Sequence, residues 1–144
     1  MLFKQRFVPG LAIASYIVGD EKTGDAVVID PTRDVEDFIG YARVNNLHIR
    51  HIIETRVYAD FLAGSRELKA RLDGKPVIHC SAYGGDDWTQ PYADDHVKEC
   101  NKLELGPISE AYWEKRTFAV QHTACKLRNR FTIEKLSQHF GLGD

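Results

Sequence analysis

The side chains best suited to chemistry in this sequence stand where apolar runs give way to polar residues. Asp30 ends the run at 26–29 (AVVI), and a carboxylate directly after a strand can accept hydrogen bonds from the amides of its own turn. Asp60 stands four residues after Arg56. That spacing suits a charge pair or a carboxylate at a helix N-terminus, and the two interpretations stay open.

The histidines and cysteines do not form a spaced ligand set. His79 and Cys80 are adjacent in an apolar run, so on a strand their side chains point to opposite faces and cannot chelate one ion together. Cys80 is therefore predicted to be a buried core residue. Cys125 lies between His122 and Lys126, a setting that could lower a thiol pKa. One cysteine beside one histidine does not define a nucleophilic site.

These residues would be positioned by an alternation of strands and helices, which predicts an α/β layered domain. The first helix is predicted to begin at Asp34 as its N-cap, and the second near Asp60, ending at Gly74. Residues 81–101 have a loop-like composition, and 103–106 (LELG) predicts one more short strand. The apolar, β-branched runs predict strands at 11–18, 26–30, 49–54 and 76–80.

The character of the chain changes after residue 106. Residues 109–139 hold six Lys or Arg against three Asp or Glu, whereas the remainder holds thirteen against eighteen. Apolar positions around Leu136 predict a terminal amphipathic helix. The sequence therefore divides into an α/β part at 1–106 and a basic tail at 107–144.

Composition excludes several classes of protein. The chain has 144 residues, of which 43% are hydrophobic and 28% charged, with a net charge of −2. That charge argues against a nucleic-acid binder. No window is long and apolar enough for a membrane span, and the first residues lack the pattern of a secretory signal. Three widely spaced cysteines suit free thiols in the reducing cytoplasm, where we expect the protein to be.

Five separated motifs together resemble the metallo-β-lactamase-fold family, in the rhodanese-linked type of its persulfide dioxygenase and glyoxalase II branch. The resemblance implies an αββα layered fold, of which this chain would encode mainly the first half and so be incomplete. It also implies an iron or zinc centre in active members, and a supporting role for Asp30 and Thr55. The motifs occur in the family's order at 11–20 (LAIASYIVGD), 26–34 (AVVIDPTRD), 53–55 (IET), 61–68 (FLAGSREL) and 78–81 (IHCS).

The metal motif that the resemblance implies is altered. In the family, Glu-Thr leads into H-x-H-x-D-[HF], whereas here Arg56 and Tyr58 replace the two histidines, followed by Asp60 and Phe61. A guanidinium stays protonated and has no lone pair to offer a metal. A phenol with a pKa near 10 does not ionise readily unless a metal is already held. We therefore expect no bound metal at these positions.

The second half of the implied site is altered as well. The family's H-T-P-G-H-T loop has its nearest counterpart at 121–126 (QHTACK), which keeps the non-ligand His122 and places Lys126 at the ligand position. The departure from the family after Pro107 suggests truncation, recombination or a shifted reading frame. We therefore expect neither iron nor zinc as a cofactor.

Three hypotheses for function follow. The first is a degenerate family member without catalysis in this chain, retained for binding or regulation. The second is an active metallo-hydrolase or persulfide dioxygenase with an unusual ligand set, built from Asp60, His122 and a partner chain. The third is a protein-association module, because an incomplete fold would leave an apolar sheet face open. Expected partners are a second copy of the chain or a sulfur-metabolism protein such as a rhodanese domain, with no nucleic acid and no membrane.

Overall fold

The computed structural model describes residues 1–55, 62–82 and 89–98. Helix α1 spans Glu36–Val44 and helix α2 spans Ser65–Arg71. A 3₁₀ turn at Pro9–Leu11 separates the first two strands. The strands are β1 (Leu2–Val8), β2 (Ile13–Gly19), β3 (Asp25–Ile29), β4 (His48–Ile53), β5 (Val77–Ser81) and β6 (Asp95–Val97).

The six strands form one mixed sheet in the spatial order β1-β2-β3-β4-β5-β6. The first three strands pair antiparallel, and β3 to β6 pair parallel. Helix α1 connects β3 to β4, and α2 lies between β4 and β5 in the chain. Because parallel strands end at the same edge of a sheet, the residues after β3 and β4 are brought side by side.

The main hydrophobic core lies between the sheet and the two helices. Phe38 and Ala42 of α1 and Leu68 of α2 pack on this face. The strand side chains in this cluster include Ile17, Ala26, Val28, Ile49, Ile52, Ile78 and Cys80. Those of β3 and β5 are two residues apart, as the period of a strand requires, whereas Ile49 and Ile52 of β4 are three apart because the register against β3 shifts between them. The predicted burial of Cys80 is confirmed, since its relative exposure is 3%.

The opposite face of the sheet carries a smaller apolar cluster. Val27 and Ile53 are buried, at 3% and 6% exposure, and Val18 and Ile29 pack against them. The centre of this face is therefore not open to solvent. His51 of β4 and His79 of β5 lie on the same face, beside this cluster.

Two strands were not predicted from the sequence. β1 forms the outer edge, where its polar residues Lys4, Gln5 and Arg6 weaken any apolar alternation, yet it pairs with β2 over seven residues. β6 has only three residues and lies in the stretch interpreted as a loop. The predicted strand at 11–18 also begins later, because Leu11 belongs to the 3₁₀ turn and Ala12 has a positive φ of 50°.

The predicted helix starts were wrong in detail. Helix α1 has Val35 at its N-cap without a side-chain cap, because the Asp34 carboxylate binds Arg6 instead, at 2.9 Å. Helix α2 begins at Ser65 rather than near Asp60. The prediction that Gly74 ends this helix is confirmed: its φ is +72°, and its N–H donates to the Lys69 carbonyl at 2.9 Å.

The remaining predictions on secondary structure lie outside the described residues. These are the strand at 103–106, the basic tail at 107–144 and its terminal helix. The proposed division at residue 106 stays a prediction for the same reason. Among the helices that the structure describes, none is long and apolar enough to cross a membrane.

Candidate functional site at the ends of the parallel strands

Asp30 and Thr55 meet where β3 and β4 end. One carboxylate oxygen of Asp30 accepts the Thr55 backbone N–H at 2.8 Å, and the other accepts the Thr55 hydroxyl at 2.5 Å. The Asp30 N–H donates to the Ile53 carbonyl at 2.8 Å. Asp30 has a φ of 47°, a left-handed conformation that aspartate tolerates better than most residues. The role of Asp30 therefore extends beyond its own turn, because its carboxylate holds Thr55.

Glu54 is a second carboxylate at this edge, with 4% exposure. Its Oε2 accepts the Tyr92 hydroxyl at 2.6 Å, while its Oε1 has no hydrogen-bond partner. Burial raises the pKa of Tyr92, and the hydrogen bond to Glu54 raises it further, because losing the proton would place two negative charges together. The Arg66 guanidinium stands over the Tyr92 ring, 5.9 Å from its centroid. Glu54 is thus enclosed beneath Tyr92.

Cys80 is buried near these carboxylates, and its thiol is unreactive at neutral pH. Burial raises the pKa of the Cys80 thiol to about 12, with further contributions from the negative charges of Glu54 and Asp30. Burial, followed by the charge of Asp30, also raises the pKa of Tyr16. A thiol is nucleophilic as the thiolate, so Cys80 offers no nucleophile near neutral pH.

A row of three polar side chains crosses the opposite sheet face. Asp95 Oδ2 lies 2.9 Å from His79 Nδ1, and His79 Nε2 lies 2.9 Å from His51 Nδ1. The residues come from the neighbouring strands β6, β5 and β4, so the parallel pairing places them in line. His79 is 4% exposed. As predicted, His79 and Cys80 face opposite sides of the sheet.

The structure describes none of the residues of the altered metal motif. Arg56, Tyr58, Asp60, Phe61, His122 and Lys126 lie outside the described residues. Of the predicted site residues, Asp30 and Thr55 are described and are brought together. Within residues 1–55, 62–82 and 89–98, no group of three or more His, Cys, Asp or Glu could hold a metal ion.

Sequence reasoning did not single out Glu54, Tyr92 or Asp95. Glu54 could have been noticed as an acidic residue at the end of an apolar strand, but its partner Tyr92 is 38 residues away in a polar stretch. His79 was considered only together with its neighbour Cys80, and its contact with His51 was not predicted. Their pairing depends on the register of β4 against β5, which no local pattern in the sequence specifies.

The curated proteins with similar sequences include enzymes of two different activities. The chain is 33% identical over 92 residues to cytoplasmic hydroxyacylglutathione hydrolase of Arabidopsis thaliana, covering 64% of this chain and 33% of that protein. It is 25% identical over 111 residues to mitochondrial persulfide dioxygenase ETHE1 of Homo sapiens, covering 74% of this chain and 40% of that protein. The chain thus spans about a third to two fifths of these relatives. No protein-family model matches it.

Solved structures agree with the sequence relatives. A metallo-beta-lactamase from Staphylococcus aureus matches with a TM-score of 0.68 and 34% identity, covering 74% of this chain and 32% of that one. ETHE1 from Myxococcus xanthus matches with a TM-score of 0.64 and 27% identity, covering 74% and 45%. The chain is therefore a homologue of the glyoxalase II and persulfide dioxygenase branch of the metallo-β-lactamase-fold family. Its described α/β sheet forms part of that fold, as the sequence predicted.

Proposed function

We propose that this chain is a metal-independent relative of the thioester hydrolases and persulfide dioxygenases, which serves in binding or regulation and does not catalyse their reactions. The observation that carries the proposal is the pair of hydrogen bonds from Thr55 to Asp30, directly before the altered motif. Both oxygens of Asp30 hold Thr55, which is the last described residue before the segment that carries the altered motif. In this segment Arg56 and Tyr58 stand where the family resemblance expects the first two metal-binding histidines.

The donor set does not fit iron or zinc. Arg56 and Lys126 are cations at neutral pH and have no lone pair for a metal. Tyr58 would have to lose a proton that its phenol normally holds to about pH 10. Asp60 supplies one carboxylate, whereas a catalytic zinc usually needs three protein ligands. We therefore assign no reaction step to a bound metal.

The described residues do not offer a second route to these reactions. The Cys80 thiol is held protonated by burial, and both oxygens of Asp30 are engaged with Thr55. His79 has both ring nitrogens in contact with neighbouring side chains. A hydrolase needs an activated nucleophile or a positioned general base, and in this part of the chain none of these three groups is placed for either role.

Metal content tests the proposal directly. Protein purified without a metal-affinity tag should contain well under one equivalent of iron or zinc per chain by elemental analysis. About one equivalent of bound metal would overturn the proposal and favour the active enzyme with an unusual ligand set. Persulfide oxidation and hydroxyacylglutathione hydrolysis should both stay at the level of a protein-free control.

A double variant that restores the two histidines of the first motif provides a second test. Arg56→His with Tyr58→His should not restore either activity, because the second half of the family's metal site has Lys126 in place of a ligand. A matched control introduces two histidines at exposed positions away from the site, Arg71→His with Lys75→His. Turnover by the first double variant but not by the control would show that the chain supplies the missing ligands.

A binding role requires a partner, and two belong to this proposal. One is a second copy of the chain, and the other is a sulfur-metabolism protein such as a rhodanese domain. We place this role in the cytoplasm. What supports the sulfur connection is the similarity to a persulfide dioxygenase and to a hydrolase of a glutathione thioester. Co-purification with a rhodanese protein, lost on Arg56→Ala but kept on Arg50→Ala, would support the second partner.

A further inference from the structure

Two buried side-chain atoms in the described part of the chain have no hydrogen-bond partner. They are Glu54 Oε1 and the hydroxyl oxygen of Ser65. Glu54 is 4% exposed and Ser65 is fully buried. Leaving a buried polar atom unpartnered is costly, and native proteins almost always pair such atoms with protein groups or with bound water. Each of the two atoms therefore requires a partner other than the described protein groups.

Both atoms lie at the carboxyl end of the parallel strands. Glu54 directly follows β4, and its other oxygen accepts the Tyr92 hydroxyl at 2.6 Å. Ser65 is the first residue of α2, which lies between β4 and β5 in the chain. Because β4 and β5 are parallel, the helix that connects them runs in the opposite direction, so its first residue lies at the end where the strands finish.

Both side chains also lie on the helix side of the sheet. Glu54 is two residues after Ile52, which belongs to the main core, and Tyr92 packs against the same core. Ser65 is three residues before Leu68, a spacing that places both side chains on one face of a helix. Since Leu68 packs on the sheet, Ser65 faces the sheet as well. The two unpartnered oxygens therefore lie in the same layer, between the start of α2 and the end of β4.

The chemistry of the two oxygens defines what can bind between them. A carboxylate oxygen only accepts hydrogen bonds, whereas a hydroxyl both donates and accepts. The Tyr92 phenol has a single proton, which it donates to the other oxygen of Glu54. The Arg66 guanidinium lies over the Tyr92 ring, 5.9 Å from its centroid, and does not bind Glu54 Oε1. This oxygen therefore needs a separate N–H or O–H donor that is small enough to be enclosed.

We propose that Glu54 Oε1 and Ser65 Oγ hold one small hydrogen-bond donor between them, enclosed beneath Tyr92 at the start of α2. Two species have this chemistry and size, a water molecule and an ammonium ion. Buried water makes roughly two to four hydrogen bonds to polar groups that otherwise lack a partner. An ammonium ion would donate to both oxygens and would offset the negative charges of Glu54 and Asp30.

The bound donor links the start of α2 to the end of β4, directly before the altered motif. It joins a helix and a strand that have no direct hydrogen bond between these two side chains. This inference does not depend on the absence of catalysis or of a metal, so the two proposals can fail separately.

Oxygen-17 magnetic relaxation dispersion tests for the water, because it counts the water molecules that stay bound for longer than the protein takes to tumble. The unmodified full chain should hold one more such molecule than Glu54→Leu, which removes the carboxylate. The matched control, Glu67→Leu, removes an exposed carboxylate of α2 and should leave the count unchanged. Ser65→Ala removes a single oxygen and should also lower the count by one, so it replaces Glu54→Leu if that variant fails to fold.

Thermal unfolding distinguishes an ammonium ion from water. With ammonium as the bound donor, the melting temperature should be higher in ammonium chloride than in sodium chloride of equal ionic strength, and Glu54→Gln should abolish the difference. The amide nitrogen of glutamine donates hydrogen bonds, which water can accept and ammonium cannot, so Glu54→Gln should keep a bound water. An equal water count in the unmodified chain and in Ser65→Ala, together with equal melting temperatures in the two salts, would overturn the proposal.

Discussion

Single residues decide how the ends of β3 and β4 are joined. Asp30 is 6% exposed and uses both carboxylate oxygens on one residue of the neighbouring strand end. Hydrogen bonds to an ionised group are stronger than those between neutral groups, and a buried carboxylate without donors is costly. The Asp30–Thr55 pair therefore stabilises the fold whether or not a metal ever binds nearby.

Thr55→Val removes the hydroxyl that donates to Asp30 while keeping the shape of the side chain. We expect the free energy of unfolding to fall by about 1.5–3 kcal/mol, the usual range for a hydrogen bond to a charged group. Thr55→Ser keeps the donor and should lose much less. Urea denaturation followed by circular dichroism measures both. Equal stability of the valine and serine variants would show that the hydroxyl contact contributes little.

Cys80 should resist alkylation in the folded protein. Its pKa of about 12 leaves roughly one thiol in ten thousand ionised at pH 8, and the side chain is buried. In a chain carrying Cys100→Ser and Cys125→Ser, iodoacetamide should label Cys80 only after addition of denaturant, as mass spectrometry would show. Rapid labelling of the folded protein at pH 8 would mean that this thiol is accessible.

At this scale the sequence predicts burial better than it predicts partners. Cys80 was expected in the core because it belongs to an apolar strand run, and it is there. Asp34 was expected to cap a helix, but a guanidinium 28 residues earlier binds its carboxylate instead. A carboxylate that could cap a helix can bind another group instead. Here Asp34 binds Arg6, which is distant in the sequence, because β1 places Arg6 beside it.

At the scale of elements, the approach of α2 to the turn after β3 depends on a glycine. A Cβ built on Gly64 would lie 2.1 Å from the Thr32 carbonyl oxygen and 2.7 Å from its carbon. The Gly64 N–H also donates to the Pro31 carbonyl at 2.7 Å. Both obstructing atoms are backbone atoms, so relief requires the helix to move away from the sheet.

Gly64→Ala should therefore destabilise the protein by about 1–3 kcal/mol, as overpacking does. The matched control is Gly40→Ala in α1, where an added Cβ would meet nothing within 4 Å. That exchange should stabilise the helix by up to about 1 kcal/mol, because alanine has the higher helix propensity. Thermal unfolding of the two variants should shift in opposite directions. A stabilising Gly64→Ala would contradict the close contact.

The predicted strands have a clear apolar pattern in their own sequence, whereas the missed strands do not. The four predicted strands contain apolar, β-branched runs, and all four are present with shifts of one or two residues at their ends. β1 and β6 lie at the two edges of the sheet, where burial is lower and the pattern is weaker. An edge strand forms because it can make backbone hydrogen bonds to a neighbouring strand, and its local sequence does not show that this neighbour is present.

At the scale of the whole molecule, the apolar surface differs from what the sequence predicted. The sheet face opposite the helices was expected to be open, but Val27 and Ile53 at its centre are 3% and 6% exposed. Larger exposed apolar side chains lie elsewhere: Phe7 is 56% exposed and Leu11 is 42% exposed, four residues apart beside the edge strand. We expect self-association to use this edge and not the centre of the face.

We accordingly predict a dimer or larger species at micromolar concentration, formed through the edge that carries Phe7 and Leu11. Among the described strands β1 pairs with β2 alone, and an edge strand of this kind is a place where another chain can pair, beside these two side chains. Burying a large apolar side chain contributes about 1.5–3 kcal/mol, so Phe7→Ser with Leu11→Ser should weaken association roughly tenfold or more. Val44→Ser removes a more exposed apolar side chain, 81% exposed on α1, and should leave association unchanged. Light scattering over a concentration series separates these outcomes, and a constant mass of 16.4 kDa for the unmodified chain would show that it is a monomer.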